Sequence, residues 1–243
     1  MKRVFDFCIS GFALILLSPL LVIISLLIFL QDFHNPFYIA PRVGKGEKQF
    51  KMYKFRSMVV NADASGVDST STNDSRITPI GHFVRKFKLD EISQLFNVFL
   101  GDMSLVGPRP NVKRETDLYT KVEKKLLSVK PGITDFSSIV FADENEILKA
   151  SKDPDIDYNQ LIRPWKSRLG LLYIEKFGLF VDLKLLFLTA KTILNREEAL
   201  KGVAHLLEEL NASKKLIQIA KRKKPLIPTP PPGSNRIVKT RNS

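Results

Sequence analysis

The sequence has few of the residues on which many catalytic and structural sites depend. Its 243 residues include one cysteine, Cys8, so no disulfide can form within the chain, which fits a reducing compartment. The three histidines, His34, His82 and His205, are scattered, which leaves neither a zinc-site spacing nor a Ser-His-Asp arrangement. The G-x-x-x-x-G-K-[ST] phosphate loop is also absent. These absences argue against disulfide-rich secreted domains, zinc enzymes and phosphate-loop nucleotidases.

Acidic residues are scarce relative to basic ones. The chain has 25 Asp and Glu against 38 Lys and Arg, a formal net charge of +13 with a pI near 9.8. Such an excess predicts an anionic partner, which is nucleic acid, a phosphorylated small molecule or an acidic membrane surface. No helix-turn-helix, zinc-finger or aromatic RNA-binding pattern is evident, so nucleic acid is disfavoured as a partner.

Only one long apolar run is present, from Phe7 to Leu30, and it contains no charged residue. The run is long enough to cross roughly 30 Å of hydrocarbon if straight. It exceeds the apolar part of a secretory signal, and no small-residue cleavage site follows it. Contact with a membrane is therefore expected. Ser18 and Pro19 lie at its middle, where proline removes a backbone hydrogen bond and serine can bond the freed carbonyl.

The charges around the run bear on its topology. Lys2 and Arg3 precede it, and a further basic cluster follows between residues 42 and 56. Basic residues on both flanks fit poorly with a span that has one cytoplasmic side. A kinked span and a helix-break-helix that enters and leaves by the same face both remain open, and the charges favour the second.

The chemistry-bearing residues concentrate between positions 76 and 110. Apolar residues recur at helical intervals from Ile92 to Phe99, which predicts one short helix ended by Gly101. Asp90 and Glu91 open that helix. A carboxylate there faces unpaired backbone N–H groups and the positive end of the helix dipole, so we expect it to be ionised at neutral pH. It is then available as a nucleophile or a metal ligand.

Basic side chains crowd the same segment. Arg85 precedes the acidic pair, and Arg109 follows it within Gly107-Pro108-Arg109-Pro110, a turn whose prolines fix the backbone. Arginine offers a forked set of donors to phosphate oxygens, so this composition suits an anionic substrate. Each feature alone has an ordinary explanation, such as a helix cap, a solvated face or a simple turn. Their combination indicates a reaction centre.

The whole string resembles the signature of the bacterial sugar transferases, the small monotopic phosphoglycosyl transferases that start glycan assembly on a polyprenyl phosphate carrier. The matching positions are Arg76, Thr78, Gly81, Arg85, Leu89-Asp90-Glu91, Gln94-Leu95, Asn97-Val98, Gly101, Met103-Ser104 and Gly107-Pro108-Arg109-Pro110. One departure is Ser93, where the family commonly has proline. Another is Asp135-Phe136-Ser137-Ser138, where many members have Gly-Trp-Ala-Gln, so the usual sugar assignments do not carry over.

The resemblance implies a role for each candidate residue. Asp90 attacks the β-phosphate of a UDP-sugar with Glu91 assisting, and Mg²⁺ bridges Asp90 and the diphosphate. The residues implied to contact substrate phosphates or the nucleotide are Arg85, Pro108, Arg109, Lys54 and Arg56. For Lys54 and Arg56, contact with anionic lipid or simple solvation remains an equal alternative. The implied anchor comprises Lys2, Arg3 and Asp6, with Asp6 paired to nearby cations, and a break at Ser18 and Pro19.

The implied fold class is α+β: a mainly helical monotopic membrane protein with an N-terminal re-entrant helix-break-helix, a small β-hairpin or sheet and interfacial amphipathic helices. The expected organisation is a re-entrant helix over 1–33, a membrane-associated catalytic domain over 34–200, an amphipathic helix over 201–224 and a disordered tail over 225–243. Locally, residues 38–58 predict a hairpin, 112–129 an amphipathic helix and 61–75 a surface loop. Helices within 165–194 either lie at the bilayer surface or pack in the core.

The implied function is transfer of a sugar 1-phosphate from a UDP-sugar to polyprenyl (undecaprenyl) phosphate, through an aspartyl-phosphosugar and with release of UMP. It would initiate surface glycan assembly. Implied partners are the two substrates and membrane phospholipids, with a homodimer left open. The implied location is the bacterial inner membrane, with the catalytic domain facing the cytosol. The competing interpretation is a non-catalytic basic membrane-anchored protein that binds acidic lipids.

Overall fold

A long N-terminal helix, α1 (Lys2–Asp32), lies against a mostly helical body in the computed structural model, which describes residues 2–62 and 74–240. Two small sheets are formed by β1 (Phe37–Val43), β2 (Gln49–Phe55), β3 (Ser104–Val106) and β4 (Gly132–Thr134). The shorter helices are α2 (Pro79–Lys86), α3 (Leu89–Ile92), α4 (Leu95–Leu100), α5 (Lys113–Asp117), α6 (Phe136–Val140), α7 (Glu144–Ile147) and α8 (Pro154–Asp157). The longer ones are α9 (Arg163–Lys176), α10 (Leu179–Leu194), α11 (Arg196–Glu209) and α12 (Lys214–Ala220). The predicted mainly helical fold with a small sheet is confirmed.

α1 is one helix, and not the two helices separated by a break that the sequence suggested. It continues through Pro19, which cannot donate a hydrogen bond to the carbonyl of Ile15. The hydroxyl of Ser18 donates to that carbonyl at 2.8 Å and satisfies it instead. The backbone hydrogen bond that proline removes is therefore replaced by a side-chain hydrogen bond one residue away, and the helix continues. Among the described residues, α1 is the helix long and apolar enough to cross a membrane.

One face of α1 packs on the body along its whole length. Asp6, Ser10, Leu21, Ile24 and Ile28 are buried on this face, and the last three join a small core with Phe55 and Val84. The opposite face exposes large apolar side chains: Phe12, Ile15, Leu16, Val22, Ile23, Leu26 and Leu30. A helix with one face packed on protein and the other apolar and open is suited to contact lipid.

β1 and β2 form the predicted hairpin, which pairs antiparallel from Phe37 with Phe55 to Val43 with Gln49. The side chain of Asn97 in α4 bonds to β2 twice: Oδ1 accepts from the Tyr53 N–H at 2.9 Å, and Nδ2 donates to the Lys51 carbonyl at 2.7 Å. These bonds fix the distance between the hairpin and the α3–α4 segment. They therefore position Lys54, on the hairpin, next to the acidic pair.

The predicted helix from Ile92 to Phe99 is divided into α3 and α4. The hydroxyl of Ser93 donates to the Asp90 carbonyl at 3.1 Å, and the Gln94 N–H bonds the Glu91 carbonyl at 3.1 Å. This tighter i to i+3 bond interrupts the α-helical ladder. The end of α4 is as predicted, because Gly101 takes a left-handed conformation with φ of 98°.

The longer helices of the C-terminal half share one core. Trp165, Leu169, Leu185, Val203 and Leu207 lie in it, so α9 and α11 pack as core helices. α10 combines both interpretations given for 165–194, since one side packs in the core and the other is apolar and exposed. Its exposed residues are Leu179, Phe180, Leu183 and Phe187.

Two further segments differ from the sequence-based expectation, and a third lies mostly outside the described residues. Residues 112–129 form α5 and a 3₁₀ helix (Glu123–Ser128) instead of one amphipathic helix. Residues 225–240, expected to be disordered, lie along the body without helix or strand, and the Gln160 amide donates to the Val238 carbonyl at 2.6 Å. We call this segment the C-terminal strap. The predicted surface loop over 61–75 lies mostly outside the described residues.

Candidate active site

The acidic pair lies in α3, which follows α2 and packs against β2 of the hairpin. Lys88 precedes α3 with a left-handed backbone, φ 52° and ψ 28°, which redirects the chain so that α3 begins immediately afterwards. Asp90 lies in the first turn of α3 and is 5% exposed. Its Oδ2 atom is 2.7 Å from Nζ of Lys54 on β2. The carboxylate is thus shielded from bulk solvent and paired with one cation.

Glu91 has a different partner. Its Oε2 atom accepts a hydrogen bond from Nη1 of Arg109 at 3.1 Å. Burial opposes ionisation of Glu91, but the charges of Arg109, Lys88 and Lys54 outweigh it and hold its pKa below the ordinary value. In the same way, burial disfavours the Arg109 cation, while the charges of Glu91, Asp135 and Asp90 prevail and raise its pKa. Both groups therefore carry full charge at neutral pH.

The parallel pairing of β3 with β4 holds the turn that carries Arg109. The Gly107 N–H donates to the Thr134 carbonyl at 2.9 Å, and the Gly132 N–H donates to the Pro108 carbonyl at 3.0 Å. The two glycine backbones approach so closely that a Cβ atom on Gly132 would lie 2.1 Å from the Gly107 nitrogen. Only glycine fits at this crossing. This crossing positions the Arg109 side chain next to Glu91.

These groups surround a cavity of about 380 Å³, which we call the first cavity. Its lining residues include Lys54, Arg85, Lys88, Asp90, Glu91, Arg109, Asn111, Glu115, Ser137, Ser138, Phe141, Glu144, Asn145, Tyr158 and Lys166. Five cations and four carboxylates are therefore among the lining residues. Such a set favours a substrate with several negative charges.

A second cavity of about 790 Å³ adjoins the first. The two share Lys54, Arg85, Pro110, Asn111 and Glu115. The second cavity begins where α1 ends, at His34, and much of its wall is apolar, with Phe37, Ile39, Val59 and Val60 among its lining residues. A large, partly apolar cavity thus lies next to the charged one, close to the C-terminal end of α1.

The structure brings together five of the predicted site residues at the first cavity: Asp90, Glu91, Arg85, Arg109 and Lys54. Arg56 and Pro108 are placed elsewhere. The Arg56 guanidinium lines the second cavity, where it bonds both carboxylate oxygens of Asp32 and the Asn35 carbonyl. Pro108 is buried in the turn and contributes a backbone acceptor. Arg56 thus anchors the end of α1, and Pro108 shapes the Arg109 turn.

The predicted anchor residues bond to protein. Lys2 pairs with the buried Asp182, and Arg3 donates to the carbonyls of Val98 and Phe99 at the end of α4. Asp6 was expected to pair with cations at headgroup level, and that expectation is wrong. It is 2% exposed and accepts a hydrogen bond from the Leu105 N–H at 3.1 Å, because β3 needs a partner on that edge.

Several cavity residues were not predicted from the sequence. Lys88 lies in the basic segment before the acidic pair but has no assigned role, while Asn145, Tyr158 and Lys166 follow Asp90 by more than fifty positions and carry no recognisable spacing. For Ser137 and Ser138 the sequence offered one indication of a place in the site, because they lie where the chain departs from the family pattern. Both residues line the first cavity.

The donor set can be tested for a metal ion. Within residues 2–62 and 74–240, no group of three or more His, Cys, Asp and Glu side chains could hold a metal by itself. Mg²⁺, however, is often bound through one or two carboxylates together with substrate phosphates. Asp90, adjacent to Glu91 in an anion-binding cavity, fits that kind of site, which only the bound substrate would complete.

Fold and site together place an acidic pair and several cations in one cavity of a mostly helical body that carries an exposed apolar helix. Comparison with known proteins assigns the family, because the family model described as "Bacterial sugar transferase" matches residues 1–196 of this chain. The chain therefore belongs to the bacterial sugar transferase family.

Relatives in this family are identical to this chain at about one aligned residue in three. One is the UDP-N-acetylgalactosamine-undecaprenyl-phosphate N-acetylgalactosaminephosphotransferase of Aeromonas hydrophila, 33% identical over 79% of this chain and 43% of its own length. Another is the undecaprenyl-phosphate galactose phosphotransferase of Salmonella typhimurium, 36% identical over 82% of this chain and 41% of its own. A third, from Klebsiella pneumoniae, is named UDP-glucose:undecaprenyl-phosphate glucose-1-phosphate transferase, with 34% identity over 77% and 39%. The chain thus spans about two fifths of these three relatives.

Proposed function

We propose that this protein is a phosphoglycosyl transferase. It transfers a sugar 1-phosphate from a UDP-sugar to polyprenyl phosphate, of which undecaprenyl phosphate is the form named in its relatives, and it releases UMP. The observation that carries the proposal is the Asp90–Glu91 pair at a cavity lined by Lys54, Arg85 and Arg109. A shielded carboxylate among cations is suited to attack a phosphorus atom that itself carries negative oxygens.

Two displacements describe the reaction. A carboxylate oxygen of Asp90 attacks the β-phosphorus, the bond from that phosphorus to the bridging oxygen breaks, and UMP leaves with the electron pair. A phosphate oxygen of the polyprenyl phosphate then attacks the same phosphorus, and the bond to Asp90 breaks. The product is polyprenyl-diphospho-sugar, and the carboxylate is restored. Both steps depend on charge stabilisation and alignment more than on proton transfer.

Each cation has a role in this scheme. Lys54, at 2.7 Å from Asp90, balances the nucleophile before attack and the phosphate oxygens as the carboxylate charge is consumed. Arg85 lies at the boundary of both cavities, where it can contact the phosphate that enters or leaves. Arg109, held by Glu91, presents its remaining donors to the nucleotide or phosphate oxygens.

A divalent ion, Mg²⁺, is part of the proposal as a cofactor that Asp90 would hold. When bound it would reduce the repulsion between the anionic nucleophile and the diphosphate. Glu91 is available to orient it or the acceptor. Binding of the substrate phosphates would supply the remaining ligands.

The two cavities suit two substrates of different solubility. The attacking acceptor must approach the phosphorus from the side that UMP has left, because each displacement is in line. The second cavity meets the first at Arg85 and has an apolar wall near the end of α1. We assign it to the polyprenyl phosphate. A site at headgroup height reaches both this lipid and a soluble UDP-sugar.

The membrane attachment we propose is monotopic. Both ends of α1 are bonded to the same body, through Lys2 with Asp182 and Asp32 with Arg56, which supports a helix that lies along the body with its exposed apolar face in one leaflet. The exposed apolar residues of α1 and α10 then contact phospholipid tails and the basic surface contacts headgroups. UDP-sugars are cytosolic, so the catalytic body faces the cytosol at the bacterial inner membrane, where its product would initiate surface glycan assembly.

Product analysis tests the function. Purified protein in detergent or nanodiscs is given MgCl₂, undecaprenyl phosphate and a panel of UDP-sugars, and UMP release and the lipid product are measured. We expect stoichiometric UMP and undecaprenyl-diphospho-sugar with at least one donor. Absence of both with every donor, from folded protein, would leave a basic membrane-bound protein without this activity.

A further inference from the structure

Part of the wall of the first cavity is a short segment that runs from the end of α6 into α7. Its residues Phe141, Ala142, Glu144 and Asn145 line the cavity. Asp143 lies between them but is not a lining residue, and its carboxylate pairs with side chains from the C-terminal helices instead. We call residues 141–145 the wall segment. Its position sets the shape of the cavity on this side.

Two arginines from the C-terminal part of the chain converge on Asp143. Arg196 opens α11, and its Nη2 atom lies 2.8 Å from Oδ1 of Asp143. Arg222 follows α12, and its Nη2 atom donates to Oδ2 of Asp143 at 3.3 Å. The two carboxylate oxygens thus have separate cationic partners. We call this arrangement the arginine clamp.

Both arginines also contact the chain next to Asp143. The Arg222 guanidinium lies 5.5 Å from the centroid of the Phe141 ring, a distance at which a cation and an aromatic ring attract each other. The Arg222 side chain is only 13% exposed, so solvent screens these interactions less than it would at an open surface. Arg196 donates to the Val140 carbonyl at 3.4 Å. The clamp therefore holds positions 140, 141 and 143.

The fold fixes the spacing between the two arginines. α11 and α12 pack against each other, and both contribute buried residues to the main core: Val203, Leu207, Leu216 and Ala220. Arg222 follows α12 with a left-handed backbone, φ 50°, which is uncommon for a residue other than glycine. Arg222 also lies beyond residues 1–196, which the family model matches. This half of the clamp is therefore outside the pattern that assigns the family.

We propose that Arg222 and Arg196 are positioning residues that act through Asp143 to hold the wall segment in the shape that binds the donor substrate. The step from cavity shape to donor binding rests on the proposed function. Without the clamp the segment is free to move, and binding of the donor must then also order it, which weakens the binding.

The experiment compares the wild type with Asp143→Asn, Arg222→Gln, the double variant and Arg222→Lys. Full-length protein in nanodiscs is assayed for kcat and KM with its best UDP-sugar. Hydrogen exchange is followed by mass spectrometry on peptides from the whole chain. Lys224→Gln is the matched control, because it removes the same charge from an exposed side chain two residues further along.

The kinetic expectation is a graded rise in KM for the donor. Arg222→Gln raises KM about threefold, because Asp143 keeps Arg196 as a partner. Asp143→Asn raises KM about tenfold, because it leaves two neighbouring cations without a carboxylate between them. The double variant matches Asp143→Asn and not the product of the two single effects, and Arg222→Lys lies between Arg222→Gln and the wild type. A smaller folded fraction would lower kcat and leave KM unchanged, so KM separates positioning from stability.

Hydrogen exchange gives a readout that does not depend on activity. In Asp143→Asn and Arg222→Gln, we expect exchange to rise at least about threefold in peptides that cover residues 140–149, whose amide bonds belong to the segment and α7. Peptides from α9 keep the wild-type rate. Lys224→Gln matches the wild type in both measurements.

Contrary results separate this proposal from the proposed function. Unchanged KM in Asp143→Asn and Arg222→Gln, or exchange that rises evenly over the whole chain, would overturn the positioning role while the transferase stands. Wild-type protein that releases no UMP from any donor would overturn the proposed function. In that case the exchange measurement alone decides the clamp: a local rise at 140–149 supports it, and an unchanged rate there overturns it.

Discussion

At the scale of single residues, neighbouring carboxylates have different partners. Asp90 pairs with Lys54 from the hairpin, and Glu91 pairs with Arg109 from the β3–β4 turn. Adjacent acids on one short helix are thus separated electrostatically by cations from distant parts of the chain. Such separation lets one carboxylate react while the other keeps a structural role.

Lys54 provides the first residue-scale prediction. Lys54→Ala removes the cation next to Asp90, and we expect kcat/KM for UMP release to fall at least about 100-fold, as it does when one preorganised charge is removed from a transition state. The matched control is Lys51→Ala on the same strand, where the side chain is exposed. Equal activity of the two variants would show that Lys54 does not act on the phosphates.

Glu91 provides a prediction about pH. Its pKa is below the ordinary value of 4.5, so the ion pair with Arg109 contributes stability that is present above about pH 4.5 and is lost as the pH falls through the lower folded-state pKa. Glu91→Gln should cost about 2 kcal/mol of unfolding free energy at pH 7, and the difference from wild type should shrink with acidification. Urea unfolding at pH 7 and at pH 3 measures this.

The control for that prediction is Glu175→Gln, because Glu175 forms an exposed pair with Lys176. Exposed pairs contribute little to stability. We expect this variant to match wild type at both pH values. A deficit in Glu91→Gln that grows with acidification would contradict the assigned sign.

At the scale of elements, long-range bonds hold the site together. Asn97 joins α4 to β2, and the Gly107–Gly132 crossing joins β3 to β4. The candidate site side chains Asp90, Glu91, Lys54 and Arg109 thus lie on or next to short elements that these distant contacts hold in place. The α3–α4 break belongs to the same pattern, since the Ser93 hydroxyl that interrupts the helix also bonds the Tyr53 carbonyl of the hairpin.

The C-terminal strap gives an element-scale prediction. The Thr120 hydroxyl and the Arg168 guanidinium donate to its Pro232 and Pro230 carbonyls, and Val238 is 7% exposed. Val238→Asp places a charge at that buried contact and should lower Tm by several degrees, since about 2–4 °C corresponds to 1 kcal/mol in a chain of this size. Ile227→Asp, at a strap residue that is 64% exposed, is the matched control. Equal Tm values would show that the strap does not contribute to stability.

At the scale of the whole molecule, the apolar surface and both ends of α1 determine the relation to the membrane. We predict that cysteines introduced at Val4 and His34, in a Cys8→Ser background, react with an impermeant maleimide from the same side of inner-membrane vesicles. Both side chains are exposed. Labelling from opposite sides would establish a transmembrane α1 and contradict the monotopic arrangement.

The sequence predicted those parts that depend on local pattern. The apolar run predicted α1, alternation and turn residues predicted the hairpin, and Gly101 ended α4, because each depends on neighbours along the chain. The spacing of residues 76–110 also identified Asp90, Glu91, Arg85 and Arg109, which the fold brings to one cavity.

What the sequence could not predict depends on contacts between distant segments. The sequence predicts that Asp6 pairs with cations at headgroup level, and it does not reveal that the Leu105 N–H lies beside this carboxylate. It also does not reveal that Asp32 lies beside Arg56. The proline-rich tail was expected to be disordered because its composition cannot build a core of its own. That composition does not reveal the surface of the body on which the strap lies. Tyr158 and Lys166 reach the cavity only through the packing of α9 and the turn before it.

The central claim is that Asp90 forms a covalent bond to the phosphosugar. Protein incubated with MgCl₂ and the preferred UDP-sugar, without lipid acceptor, is quenched, digested and analysed by mass spectrometry. The account predicts a hexose-phosphate or N-acetylhexosamine-phosphate adduct on the peptide that contains Asp90, lost on addition of undecaprenyl phosphate and absent in Asp90→Asn. Full turnover by Asp90→Asn, or an adduct on another residue, would contradict it.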